Sequence, residues 1–347
     1  MKPFDLDLIS SPDIRREYDL VLQRAQALGK DVHAAYGTGK PPFVFRYVQS
    51  FQFNAAVEAL PQYYLISIES SIPIFAITLF SRMMTNDAVL PHIPNQGSLA
   101  ADYTLPGVVD PRDFDHRANW TIQTNDIRSY AALIYAEVCT FFVAAHEIGH
   151  VVAGHVDALE ALGEKTCLLE LVELEAFDAD NAAMRRAWEI DADSVAAKLV
   201  VFYVEELVLR ADKREDVSAI LGKDRLSSAV AIVISALFVF FRYARSASSL
   251  IEVKGHHPHP IVRAINLYEL LTNAAVERWR LNEKNFFEAF DQRFPEAMEA
   301  VSEIISEDFE LVDESDTQDI DRALERLHLD RERFRFRSRR HSWIDWT

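Results

Sequence analysis

At 347 residues the chain is long enough for one large domain with an appendage, or for two domains. Apolar residues make up 49% and charged residues 26%, a globular composition that excludes a fibrous or disordered chain. The formal net charge of −18 opposes a surface built to neutralise phosphates, so nucleic acid is not an expected partner.

In chain order, residues 12 to 36 predict a helix with Leu20, Val21, Ala25 and Leu28 on one face. Gly37-Thr38-Gly39-Lys40 imitates a phosphate loop, but Ala34 and Pro41 occupy the glycine and hydroxyl positions that GxxxxGK[ST] requires; a turn is expected. Phe43 to Phe53 and Tyr63 to Ile68 are rich in aromatic and β-branched residues and predict strands. Ile72 to Met84 predicts a helix. Residues 85 to 124 carry Pro91, Pro94, Pro106 and Pro111 with no period, a long loop.

Asn125-Asp126 can cap a helix predicted over Ile127 to Leu162, and further helices are predicted over Asp180 to Arg210, over Ser227 to Arg245 and from Ile261 onward. Beyond residue 281 the composition turns acidic and then Arg-rich, which suggests a domain over 1–280 and a helical C-terminal region over 281–347. Within that tail the alternating Phe and Arg of Arg331 to His341 suggest an amphipathic strand laid on the protein's own acidic surface. Ala229 to Phe241 is the one run that suggests a membrane. It falls short of the ~20 residues a spanning helix needs, so a buried core helix without stable membrane insertion is expected. The N-terminus lacks the apolar region of a secretion signal. Two cysteines, Cys139 and Cys167, make no disulfide framework, and Cys139 reads as a small core residue. A cytoplasmic location is expected.

Residues 146 to 150 read His-Glu-Ile-Gly-His. Positions four apart on an α-helix differ by about 40° around the axis. His146 and His150 can therefore ligate one zinc ion, while Glu147 lies beside that face and can take a proton from a water without being a ligand. A third protein ligand is needed. On a continuous helix His155 would lie about 140° from His150 and 180° from His146, which rejects it as a ligand and leaves it a supporting polar role. Trp188-Glu189-Ile190-Asp191-Ala192-Asp193 is the better source. Glu189 and Asp193 share a helical face: Glu189 would bind the metal and Asp193 would accept a hydrogen bond from a ligand histidine. Asp191 points elsewhere, and Ala192 leaves room for close helix packing.

HEIGHVVAGH followed by EIDAD resembles the gluzincin peptidases with an HExxH…ExxAD signature, typified by the CAAX-prenyl and heat-shock membrane proteases. Asn54-Ala55 is similar to the segment leading into that family's active-site edge strand, and His257 to Arg263 resembles its HPxxxxR segment. The flanking transmembrane helices usual in that family have no counterpart here. Soluble phage-exclusion peptidases, which also carry HExxH, are a looser comparison. The resemblance implies that His257 lies near zinc and donates to an oxyanion. Arg263 is a candidate partner of a buried carboxylate such as Asp193. His259 is a weaker oxyanion candidate; a helix-start turn at Pro260 would equally account for both histidines.

The expectation is therefore an α+β, mainly helical fold: a zincin-like core with a small sheet and an active-site helix. Its activity would be zinc-dependent hydrolysis of a protein or peptide substrate, held in extended form along an edge strand near residues 63–68. The alternative is a non-catalytic, zinc-stabilised binding or regulatory protein.

Overall fold

The computed structural model describes residues 2–9, 11–49, 54–87, 89–94, 126–163, 167–169, 179–248, 260–280 and 314–344. Helices dominate, with one small mixed sheet. Helix α1 (Pro12–Tyr36) starts at Ser11, whose hydroxyl accepts the Ile14 amide, and Pro12 sits in the first turn where its missing N–H costs nothing. It buries Ile14, Tyr18, Val21, Ala25, Leu28 and Val32. Leu20, expected on that face, is only half-buried, because Tyr18 takes the inward position. The following Gly37–Lys40 segment is a turn, with Gly39 at φ 76°, and the Lys40 ammonium donates to Asp157 over 2.7 Å.

Strands β1 (Phe43–Val48), β2 (Ala55–Leu60), β3 (Tyr63–Glu69) and β4 (Cys167–Leu169) form a sheet in the order β1-β3-β2-β4. β3 runs parallel to β1 and antiparallel to β2, in the register Phe45↔Ile66↔Val57. Leu65 to Glu69 are buried on both faces, the pattern of an internal strand. The expected substrate edge at residues 63–68 is thereby corrected: both hydrogen-bonding sides of β3 are already taken. β2 and β4 were not anticipated as strands.

Helix α2 (Ser71–Met83) is almost wholly buried. The long helix α3 (Asp126–Val152) runs through the centre and packs against α1, α2 and the sheet. Its most apolar window is long enough to cross a membrane, yet 94% of that window is buried inside the structure. Arg128, Glu137 and the motif residues interrupt its apolar run, so the sequence shows no continuous membrane-like stretch there.

The single helix expected over Ile127 to Leu162 is two. Gly154 adopts φ 82° and starts α4 (His155–Ala161) in a new direction. A Cβ there would also lie 2.6 Å from the Ser342 amide nitrogen, so the C-terminal segment packs against this corner.

Helices α5 (Ala179–Ala211), α6 (Glu215–Leu221) and α7 (Arg225–Ser248) pack against α3, and α8 (Pro260–Trp279) packs on α5 and α7. Cys139 is buried, its thiol facing the Ala236 carbonyl at 3.5 Å, and burial pushes that thiol well above its usual range.

The Arg-rich tail is helix α9 (Glu314–Arg339), not a strand. Among its described side chains Leu327, Phe334 and Ser338 are buried, a spacing that turns one helical face inward. Its charged side chains do meet the protein's own: Arg331 pairs with Asp191, Arg333 with Asp180 and Asp330 with Arg186. Ile190, Val262 and Leu327 form a small apolar cluster joining α5, α8 and α9. After α9, the Trp343 amide donates to the Val152 carbonyl over 2.8 Å, and its ring packs on Phe43 and Tyr64.

Candidate metal centre

His146, Glu147 and His150 lie in the last two turns of α3, and Glu189, Asp191 and Asp193 lie on α5. The two helices touch at their smallest residues. A Cβ on Gly149 would stand 2.6 Å from the Ala192 carbonyl oxygen and 2.9 Å from its Cα. Glycine in the motif therefore sets the closeness of the two helices, and that closeness brings the carboxylate to the histidines.

The ligand atoms converge. His146 Nε2 and His150 Nε2 are 3.0 Å apart, and the Glu189 carboxylate oxygens lie 3.3 Å from the former and 3.4 Å from the latter. With metal–donor bonds of about 2.05 Å, tetrahedral donors sit about 3.3 Å from one another. These three buried groups can hold a metal ion. Their chemistry suits it as well: two imidazoles and one carboxylate are ligands of a borderline divalent ion.

Charge points the same way. Glu147, Glu189, Asp191 and Asp193 are each at most 5% exposed, and two guanidiniums, those of Arg263 and Arg331, pair with carboxylates of this group. Burying carboxylates without compensating positive charge is costly, so the cluster favours a cation. The two histidines respond in opposite directions. Burial and Arg263 oppose a proton on His146, but hydrogen bonds to Asp193 and Glu189 outweigh them and push its pKa up to about 10. His150 is driven down to about 3 by burial, which the Glu189 carboxylate only partly offsets.

Behind His146 stands a buried pair. Asp193 Oδ1 lies 2.8 Å from His146 Nδ1, and Arg263 donates to both Asp193 oxygens, over 2.8 and 2.9 Å. Burial raises the Asp193 pKa, but Arg263 and His146 outweigh it and hold the carboxyl below its ordinary value. The Arg263 guanidinium also lies over the Phe241 ring, 4.8 Å from its centroid. His146, whose Nε2 faces the ligand set, can thus be fixed in its Nδ1–H tautomer by a carboxylate.

Asp191 faces away from the ligand atoms, toward His155 and Arg331. His155 itself is brought close, by a route that a continuous helix forbids: the break at Gly154 turns it back, so that its Nδ1 lies 3.0 Å from His150 Nδ1. His257 and His259 lie outside the described residues. Three participants carried too little signal to be singled out in the sequence: Gly149, visible only as the small residue inside the motif; Trp188, which stacks on His155; and Arg331, one of many arginines in the tail. No family model, no curated protein and no solved structure matches the chain.

Proposed function

We propose that the protein is a zinc-dependent endopeptidase with a zincin-like core. The observation that supports this reading best is the convergence of His146, His150 and Glu189 from two helices, with Glu147 buried in the turn that carries the histidines. Two histidines and one carboxylate leave a tetrahedral ion one open position, the arrangement of catalytic rather than structural zinc sites. A zinc ion held there would lower the pKa of a water and polarise a substrate carbonyl. Glu147, beside that position, would accept a proton from the attacking water on a carboxylate oxygen and deliver it to the leaving amine. Asp193 and Arg263 hold His146 in orientation. His257 keeps its proposed oxyanion role from the resemblance alone. The substrate is a protein or peptide, and the protein acts in the cytoplasm without stable membrane insertion.

A second reading, a zinc-stabilised binding protein that cleaves nothing, draws on one observation. All four motif side chains are at most 5% exposed, as in a closed structural site.

Glu147→Gln separates the two readings. Cleavage of a defined peptide mixture is followed by mass spectrometry, with zinc content measured on the same samples. The endopeptidase reading expects full zinc content and a fall in turnover of about a hundredfold or more. A zinc-loaded wild type that cleaves nothing would favour the second reading, and turnover unchanged by Glu147→Gln would remove Glu147 as the base.

A further inference from the structure

His155 is completely buried and is held on three sides. Its ring stacks on Trp188, with centroids 4.9 Å apart and planes 9° from parallel. Its Nδ1 is 3.0 Å from His150 Nδ1, a hydrogen-bond distance. Its Nε2 faces the Asp191 carboxylate at 3.9 Å, an electrostatic contact rather than a direct hydrogen bond. Asp191 in turn accepts from Arg331 of α9 over 2.5 Å.

Two ring nitrogens 3.0 Å apart must divide the roles, one donating and one accepting. His150 presents Nε2 to His146 and Glu189, so a neutral His150 that ligates through Nε2 carries its proton on Nδ1. It then donates to His155. With Nδ1 of His155 accepting, the proton of that ring sits on Nε2, where it faces Asp191. Every direction along the chain agrees, and it ends on a guanidinium.

A shorter version of this construction stands behind His146, which meets Asp193 of α5 directly, and Asp193 is held by Arg263 of α8. Each candidate ligand histidine therefore has its own aspartate–arginine pair. Both aspartates come from α5, and each arginine comes from a different helix.

We propose that His155 is a positioning residue of the metal centre: it fixes the Nδ1–H tautomer and ring orientation of His150, and Asp191 with Arg331 fixes its own. The proposal rests on the metal-centre reading above. A histidine that merely filled the core beside Trp188 would need no acceptor at Nδ1, and this difference can be measured. His155→Phe keeps a flat ring against Trp188 and removes the acceptor. His155→Asn places an amide oxygen near the former Nδ1 and restores it.

Zinc dissociation constants are obtained by competition with a chromophoric chelator, on samples whose thermal unfolding is recorded in parallel. The expected result is roughly 10- to 100-fold weaker zinc binding in His155→Phe and recovery of most of that loss in His155→Asn. Wild-type affinity in His155→Phe would overturn the proposal alone, as would equal weakening in both variants. Failure of the unaltered chain to bind zinc would remove the metal centre, and the proposal with it. Should the variants not fold, long-range proton–nitrogen NMR of the zinc-loaded wild type decides. A proton on Nε2 of His155 supports the proposal, and one on Nδ1 overturns it.

Discussion

Arg263 shows how much depends on a single side chain in this centre. It is buried, donates through two nitrogens to Asp193, and is the cation paired with a carboxylate that holds His146. Removing one partner of a buried pair leaves the other charged and desolvated, which costs about 3–5 kcal/mol. Arg263→Met is therefore expected to lower the unfolding free energy of chelator-stripped protein by roughly 3 kcal/mol in urea titrations. Arg263→Lys, which keeps the charge but loses the planar fork, should fall between. An unchanged unfolding midpoint in Arg263→Met would show that the pair does not stabilise the fold. Much at this scale was legible from helical geometry: Glu189 and Asp193 share a face because they are four apart, and Asp191 does not. His155 was not legible in the same way, since its wheel position assumed a helix that Gly154 ends. The sequence offers glycine at 154, but the contact that demands it comes from Ser338 to Ser342, nearly two hundred residues away.

Helices α3 and α5 meet without side chains between them at Gly149 and Ala192, and the candidate metal centre depends on that contact. Replacing an interior helical glycine by alanine ordinarily gains about 1 kcal/mol in propensity. Here the added Cβ would sit 2.6 Å from a carbonyl oxygen of α5, and backbone cannot rotate away as a flexible side chain can. Gly149→Ala is expected to lose roughly 1–3 kcal/mol of stability despite the propensity gain, as overpacked cores do. It should also bind zinc more weakly, because Glu189 is pushed from the histidines. A more stable Gly149→Ala protein with wild-type affinity would show that the helices are not in this contact. Element type was largely readable: α1, α2, α5 and α7 follow from apolar spacing and boundary residues. β2 was harder, because Ala55 to Leu60 has small residues and little β-branching. It is a strand through its pairing with β3 and β4, which local propensity does not encode. The tail misled through a short Phe-Arg alternation, whereas the wider spacing of Leu327, Phe334 and Ser338 is helical.

At the scale of the whole molecule, residues far apart in sequence are gathered around one cluster of buried charge. The candidate ligands come from α3 and α5, and the residues that support them include ones from α4, α8 and α9. Such an arrangement is uneconomical as core packing, because apolar residues of similar volume would fill the same space at less electrostatic cost. A bound divalent ion would give it a reason. The direct measurement is elemental analysis of the purified chain beside His150→Ala, Glu189→Ala and Asp191→Ala, each dialysed against a low and then a saturating zinc concentration and checked for folding by circular dichroism. The account predicts about one zinc per chain in the wild type, loss of it in His150→Ala and Glu189→Ala, and retention in Asp191→Ala once zinc is raised to saturation. Full zinc content in the folded Glu189→Ala protein, or a wild type that takes up no zinc, would contradict it.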